Sequence, residues 1–249
     1  MAEQRRLVLV NYLNTLPFLH GLKESLPYGM ELIQAHPADC AETFLTGRAN
    51  IGLIPVGALI GQNNWTRISD YGIGCDGPVA TVCLFGHTPI HEWDQVVLDY
   101  QSRTSVLLAR ILLTEYWQCN PGFEEAKPGF ELHIAGRTGG LIIGDRAIQA
   151  KDIFPYSYDL GEAWKALTGL PFVFATWVTR GQKDPGMENW MNQAFRSGLQ
   201  AIPDIVRAEQ ERYHSFDLEH YYQQNIRYVM DEPALDGLQE FLKKAVTTG

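Results

Sequence analysis

The loop QSRTS, residues 101–105, carries three hydroxyl side chains where a helix is predicted to begin. Ser102, Thr104 and Ser105 surround backbone amides that lack partners within the helix, at the positive end of the helix dipole. Hydroxyls and unpaired amides in this arrangement form a receptor for a carboxylate. A plain N-cap needs only one serine or threonine, and that simpler interpretation stays open. The surplus of hydroxyls favours anion binding.

A second candidate segment is NYLNTLPF, residues 11–18, which directly follows the apolar run LVLV. Asn14 offers two donors and one acceptor, so its amide can hold a hydroxyl or an ether oxygen without adding charge. Thr15 adds a hydroxyl next to it. An Asx-type turn before Pro17 is the alternative, and the spacing alone does not choose between them.

Asp145 stands at the end of a third apolar run, LIIGD at residues 141–145. It can cap the following helix or face a ligand, and helix-start statistics favour capping. The 7 histidines are scattered, and none pairs with a serine, a cysteine or a carboxylate in a nucleophilic or metal-binding pattern. RTGG, residues 137–140, precedes a strand instead of following one, so it fails the test for a dinucleotide fingerprint.

The composition limits the classes of partner. A net charge of −9 argues against nucleic acid and means that an anionic ligand must be held by local groups. The cysteines Cys40, Cys75, Cys83 and Cys119 form no CxxC pair, which is typical of free thiols in a reducing compartment. The apolar run near the start is too short for a secretion signal, and no window suggests a membrane span. We therefore expect a cytoplasmic protein.

The elements that position these residues alternate between strand and helix, which indicates an α/β sheet with right-handed crossovers. From Pro185 onward, apolar residues recur at helical spacing and predict a helical tail. The predicted strands cover residues 6–10, 49–55, 78–85, 96–98, 141–145 and 169–179. Helices are predicted to begin near Phe18 and near residue 106, and another is predicted over residues 37–47 with Gly47 as its C-cap.

Two lobes follow from this order of elements. Lobe 1 is predicted to contain residues 1–86 plus 179–249, and lobe 2 residues 87–178. Two strand-like crossings, near Phe85 and near Ala175–Thr179, would connect them. We expect the ligand in the cleft, at the carboxyl ends of the strands.

Several segments, taken in order, resemble one enzyme family: NYLNTLPFLHGL, GRANIGLIPVGAL, GPVATVCLF, LDYQSRTSVLLARILL, LIIGDRAI and YDLGEAWKALTGLPFVFATWV. This is the chorismate dehydratase family of the futalosine route to menaquinone, and the resemblance runs from residue 7 to about 180. It implies a two-lobed α/β fold of the type II periplasmic-binding-protein kind with a helical C-terminal tail. It also implies an enzyme without metal or cofactor that converts chorismate to 3-[(1-carboxyvinyl)oxy]benzoate and water.

The resemblance also assigns residues to the cleft. Thr81 stands where the family more often has serine, and the hydroxyl is kept. On these grounds we predict that Asn14 and Asp145 are catalytic. The predicted substrate-binding residues all lie within the segments quoted above. They are Thr15, Thr81, Ser102, Arg103, Thr104 and Ser105.

The expected chemistry fits these residue types. Chorismate carries two carboxylates and becomes aromatic when one ring hydrogen and the neighbouring hydroxyl leave. Charge formed on removal of that hydrogen spreads onto the ring carboxylate, so a helix N-terminus directed at this group would stabilise the transition state more than the ground state. The base stays open between Asp145 and the substrate's own enolpyruvyl carboxylate.

Other functions stay open as well. The same fold would serve a solute-binding protein for a small carboxylate, the sister pathway enzyme dihydroxynaphthoate synthase, or a cytoplasmic ligand sensor. In each case we expect a small-molecule ligand, no nucleic acid and no membrane as partners. The oligomeric state does not follow from the sequence.

Overall fold

The structure is a computed structural model and describes residues 5–248. Its strands are β1 Arg6–Val10, β2 Glu31–Ala35, β3 Ile51–Pro55, β4 Trp65–Cys75, β5 Val82–Gly86, β6 Gln95–Leu98, β7 Gly122–Glu125, β8 Thr138–Ile143, β9 Tyr156–Asp159, β10 Phe172–Arg180 and β11 Arg227–Val229. Its α-helices are α1 Leu16–Ser25, α2 Pro37–Leu45, α3 Thr104–Glu115, α4 Asp145–Ala150, α5 Leu160–Thr168, α6 Pro185–Gln200, α7 Ile202–Glu209, α8 Leu218–His220 and α9 Glu232–Thr248.

The described chain forms two compact units, each with its own sheet. Unit 1 contains the described residues as far as Ile73 together with Phe174–Asp231, and unit 2 contains Gly74–Val173 and the described residues from Glu232 onward. The chain passes from one unit to the other within β4, within β10 and again between Asp231 and Glu232, where α9 begins. The predicted lobes had assigned residues 179–249 to lobe 1, whereas α9 belongs to unit 2 here.

The sheet of unit 1 has the order β11-β4-β10-β3-β1-β2. β1 runs parallel to β2 and β3, and β10 runs antiparallel to β3. Leu7, Val8 and Leu9 are all fully buried, as expected for a strand that is covered on both faces. The predicted strand at residues 6–10 is thereby confirmed.

Helices α1 and α6 of unit 1 pack at unusually short range. A Cβ atom added at Gly21 would lie 1.8 Å from the carbonyl oxygen of Ala194, and one added at Gly198 would lie 1.8 Å from that of Pro17. Only glycine allows two helix backbones to approach this closely. Phe18 of α1 lies beside this contact, 4.5 Å from Phe195 of α6 between ring centroids. The contact fixes α1, which begins directly after the NYLNT segment.

The sheet of unit 2 has the order β7-β6-β8-β5-β9. β6 runs parallel to β7 and β8, while β5 runs antiparallel to β8 and β9. The carboxyl ends of β6 and β8 therefore lie at the same edge as the first residue of β5. Buried side chains from β5, β6, β8 and α4 form the core beneath this edge.

The structure confirms the α/β fold class and most predicted elements, with two corrections. The strand predicted over residues 78–85 begins only at Val82, because the residues before it form a turn in which Ala80 has a positive φ of 66°. The tail is mostly helical, but Arg227–Val229 forms the edge strand β11 of the first sheet instead of continuing a helix.

Candidate active site

The first group of predicted site residues lies in unit 1, where β1 ends. After Val10 the chain turns through a short 3₁₀ helix, Leu13–Thr15, and continues into α1. The hydroxyl of Thr15, which is 2% exposed, lies 2.6 Å from the carbonyl oxygen of Val10 and 2.7 Å from that of Tyr12. The same oxygen accepts the amide of Tyr12 at 3.4 Å. Thr15 therefore holds the turn together from inside.

Asn14 is half-buried at the middle of this turn. Its carbonyl oxygen accepts a hydrogen bond from the hydroxyl of Tyr228 at 2.9 Å, and the preceding carbonyl, of Leu13, accepts one from Tyr222 at 2.8 Å. Within residues 5–248 the side-chain amide of Asn14 makes no hydrogen bond, so the Asx-type turn considered above is not formed there. The turn fixes the backbone of Asn14 and leaves its amide available to a ligand.

The second group lies in unit 2, where the QSRTS loop joins β6 to α3. The Ser102 hydroxyl oxygen accepts a hydrogen bond from the Ser105 amide at 3.0 Å, so Ser102 performs the capping role. Thr104 and Ser105 are almost fully buried, at 2% and 3% exposed. The Ser105 hydroxyl has no hydrogen-bond partner among the residues that the structure describes. One of the three hydroxyls thus caps the helix, and Ser105 keeps a donor for a ligand.

Arg103 contributes the charge of this group. It lies at the start of α3, is exposed, and its guanidinium forms no ion pair or hydrogen bond with any described residue. A guanidinium beside a helix N-terminus reinforces the positive potential there. The loop therefore combines a helix end, a free hydroxyl and a cation in a protein whose overall charge is −9.

Asp99, the first residue after β6, fixes this loop. Its carboxylate is fully buried and accepts the amide of Gln101 at 2.9 Å and the amide of Ile143 at 3.2 Å. It also accepts a hydrogen bond from Arg146 at 2.5 Å, while the other arm of Arg146 pairs with Glu131 at 2.6 Å. Asp99 thereby ties the loop after β6 to the end of β8 and to α4.

The electrostatics of the Asp99–Arg146 pair follow from its burial. Burial raises the pKa of the Asp99 carboxyl above its usual value, while Arg146 and the two amides act in the opposite direction. Burial alone would lower the pKa of Arg146, but the carboxylates of Asp99 and Glu131 raise it. The guanidinium keeps its charge and holds the Asp99 carboxylate, which in turn accepts the amide of Ile143 at the end of β8.

Thr81 and Asp145 meet at the same edge of the second sheet. The amide of Gly144 donates to the carbonyl oxygen of Thr81 at 2.8 Å, which places Thr81 beside the start of α4. Gly144, with a φ of 64°, occupies the N-cap position of α4, and Asp145 is the first residue of the helix, so the favoured interpretation of Asp145 as the cap is wrong. The side chain of Asp159 accepts the amides of Val79 and Ala80, at 3.1 and 2.7 Å, and so fixes the turn before Thr81.

The structure therefore brings the predicted residues together as two groups. Asn14 and Thr15 share one turn of unit 1, and the other six residues gather at one edge of the sheet in unit 2. The residues that hold these groups were missed by sequence reasoning, and they are Asp99, Arg146, Asp159, Tyr222 and Tyr228. No local pattern identifies them, because each acts through a contact with a distant part of the chain.

Neither a metal-binding cluster nor a membrane-spanning helix is found among residues 5–248. Among residues 5–248, no group of three or more histidine, cysteine, aspartate or glutamate side chains could hold a metal ion. None of the helices in the described part of the chain has both the length and the apolar character needed to cross a bilayer. The cytoplasmic location stays a prediction.

Solved structures with the same fold define the class of protein. A structural-genomics protein from Archaeoglobus fulgidus superposes with a TM-score of 0.76 at 12% identity, covering 100% of this chain and 99% of its own. A Candida albicans protein described as having the generic periplasmic binding protein fold gives 0.69 at 10% identity, covering 98% and 90%. These likenesses show the fold alone, which is that of periplasmic binding proteins.

Sequence comparison is more specific. A sequence profile described as menaquinone biosynthesis matches residues 6–247. The chorismate dehydratase of Thermus thermophilus is 31% identical over 255 aligned positions, covering 94% of this chain and 92% of that protein. The chain belongs to the menaquinone biosynthesis family, and the resemblance to chorismate dehydratases found in its sequence is confirmed.

Proposed function

We propose that this chain is a chorismate dehydratase, a carbon–oxygen lyase that removes water from chorismate without a cofactor. The observation that carries the proposal is its 31% identity to a chorismate dehydratase over 94% of the chain. The match to the menaquinone biosynthesis family over residues 6–247 gives the reaction its place in metabolism. The proposed product is 3-[(1-carboxyvinyl)oxy]benzoate.

The reaction breaks one ring C–H bond and one C–O bond. A base takes the ring proton, and the electron pair of that C–H bond enters the ring as the hydroxyl departs. The hydroxyl takes up a proton and leaves as water, and the ring becomes benzenoid. Negative charge that develops on the ring is delocalised onto the ring carboxylate, so the protein can lower the barrier by stabilising that group.

We assign the ring carboxylate to residues 102–105. Support comes from the free hydroxyl of Ser105 and the unpaired guanidinium of Arg103, which stand at the N-terminus of α3. Donors that are fixed before the substrate arrives need no reorganisation during the reaction, which is why they favour the transition state. Asp99 supplies this rigidity through its bonds to Gln101, Ile143 and Arg146.

Asn14 is proposed to orient the departing hydroxyl. Its amide has no hydrogen-bond partner among residues 5–248, while Thr15, Tyr222 and Tyr228 hold the backbone of its turn. A neutral amide can donate to the leaving oxygen without attracting either substrate carboxylate into the wrong position. The same turn places Thr15 behind Asn14, where it supports the turn.

The base is proposed to be either Asp145 or the enolpyruvyl carboxylate of the substrate. Asp145 is the first residue of α4, beside the end of β8. Aromatisation supplies much of the driving force, so a carboxylate of ordinary basicity suffices. An Asp145→Asn variant that retained most of its kcat would assign the base to the substrate.

The experiment is incubation of the purified protein with chorismate after dialysis against a metal chelator. We expect the absorbance of an aromatic product to rise, and mass spectrometry to show loss of one water. Unchanged chorismate with measurable binding would favour a solute-binding protein instead. Unchanged chorismate without binding would favour the sister enzyme dihydroxynaphthoate synthase. Activity that required an added metal ion would contradict the cofactor-independent mechanism.

A further inference from the structure

We infer that Tyr222 and Tyr228 are positioning residues for Asn14, an inference that rests on the proposed function. Each tyrosine donates its hydroxyl to one of two consecutive carbonyl oxygens of the 3₁₀ turn. The bond from Tyr222 to Leu13 is 2.8 Å long, and the bond from Tyr228 to Asn14 is 2.9 Å long. The partners are separated by 209 and 214 residues in the sequence.

Both hydroxyls come from an unusual stretch of the chain. Tyr222 lies in a five-residue π-helix, Tyr221–Asn225. Tyr228 lies three residues after the end of this helix, on the edge strand β11. π-helical turns are rare and are frequently found at functional sites. Because the π-helix is followed by a short strand, the hydroxyls of Tyr222 and Tyr228 reach the adjacent carbonyl groups of Leu13 and Asn14.

Burial makes these contacts specific. Tyr222 and Tyr228 are 2% and 7% exposed, so water cannot readily replace either hydroxyl as a donor. Burial also raises the pKa of Tyr228 well above its usual value, which keeps the hydroxyl protonated and able to donate. Their carbonyl partners belong to a 3₁₀ turn, whose own hydrogen bonds have poor geometry and give less support.

The consequence is a rigid backbone beneath a free side chain. Thr15 closes the turn from inside, and the two tyrosines hold it from the opposite segment, while the Asn14 amide stays available. A displacement of about 1 Å in a positioned group can lower a rate by roughly 100-fold. The tyrosine hydroxyls therefore act on the reaction through the position of Asn14.

Tyr222→Phe and Tyr228→Phe test the inference, since each removes one hydroxyl and keeps the ring. We expect kcat for chorismate to fall about 10-fold in each variant, with KM changed by less than about threefold. Hydrogen exchange of the backbone amides of residues 13–16 should become faster, and this readout does not depend on turnover. Unchanged exchange together with unchanged kcat would overturn the inference.

Two control variants separate positioning from general destabilisation. Tyr71→Phe removes a hydroxyl that makes no hydrogen bond with the described residues. The ring of Tyr71 packs on Phe18, as the ring of Tyr228 does. Tyr158→Phe removes a hydroxyl bonded to a backbone amide, that of Ile90 at 2.9 Å, in unit 2. Both controls should keep kcat. A similar loss of kcat in Tyr158→Phe would mean that any lost tyrosine bond impairs the enzyme, and would overturn the inference.

A double-mutant cycle gives the sharpest result. In an Asn14→Ala background, Tyr228→Phe should lower kcat no further, because its effect passes through the Asn14 side chain. An equal further loss in that background would overturn the inference. If the wild-type protein fails to convert chorismate, the proposed function fails instead, and the hydrogen-exchange comparison still decides whether the tyrosines hold the turn.

Discussion

Gly198 of α6 offers a direct test of how packing in unit 1 positions the turn that carries Asn14. Replacing Gly198 by alanine adds a single methyl group, whose carbon would lie 1.8 Å from the carbonyl oxygen of Pro17. Pro17 belongs to the first turn of α1, three residues after Asn14. The substitution therefore acts on the site through the backbone of α1.

The magnitude follows from the geometry. An ordinary contact between carbon and oxygen is about 3.3 Å long, so α1 and α6 must separate locally by roughly 1.5 Å. Overpacking of this kind costs about 1–3 kcal/mol, while alanine's higher helix propensity returns about 1 kcal/mol. We expect a net loss of up to about 2 kcal/mol in the free energy of unfolding, and a fall in kcat of about 10-fold or more as the turn is displaced.

The assay combines chemical denaturation with chorismate turnover at a temperature where both proteins are folded. Gly186→Ala is the matched control, because it lies on the same helix and an added Cβ there meets only the side chain of Asp184, at 3.3 Å. The control gains alanine's helix propensity without the backbone clash, so it should be at least as stable as wild type, by up to about 1 kcal/mol. A Gly198→Ala variant that is more stable than wild type and equally active would refute the reasoning.

Three further predictions concern single groups. Asp99→Ala should lower the free energy of unfolding by about 3 kcal/mol, because it leaves buried amides and a guanidinium without their acceptor. Glu131→Gln is the control, since its ion pair with Arg146 is partly exposed, and it should cost less than about 1 kcal/mol in the same denaturation assay. Burial raises the pKa of Cys40 to about 12, so its thiol stays protonated at pH 8. A thiol-reactive dye should therefore label only the half-exposed Cys119 quickly in the native protein, and all 4 cysteines once denaturant exposes them. Fast labelling of more than one thiol in the native protein would contradict this. Thr15→Val should lose about 1 kcal/mol of stability and Thr15→Ser clearly less, because only serine keeps the hydroxyl bonds that close the turn. Equal stability of the two variants would count against that role.

Local patterns predicted the parts of the fold that are built from neighbouring residues. The run before Asn11 indicated a buried strand, and β1 is one. The hydroxyls of QSRTS indicated a helix start, and Ser102 caps α3 there. Both signals depend on residues within one turn or one strand of each other, and such signals can be read without knowledge of the fold.

The residues that support the candidate site could not be predicted from local sequence patterns. Tyr222 and Tyr228 are buried in the way core residues are, yet their hydroxyls also reach a turn more than 200 residues away. Asp99 and Arg146 meet only because β6 and β8 are neighbours in the sheet. The strand β11 was missed because three residues carry almost no periodic signal, and its pairing with the sheet outweighs helix propensity.

The central claim is that a neutral amide, fixed on a rigid turn, acts on the chemical step of a dehydration. Steady-state kinetics of Asn14→Ala with chorismate test it most directly, with Asn11→Ala, an exposed asparagine of the same segment, as the control. We predict that kcat falls by about 100-fold or more while KM changes by less than about threefold, and that the control resembles wild type. A rise in KM with kcat retained would show that Asn14 only binds the substrate and would contradict the account.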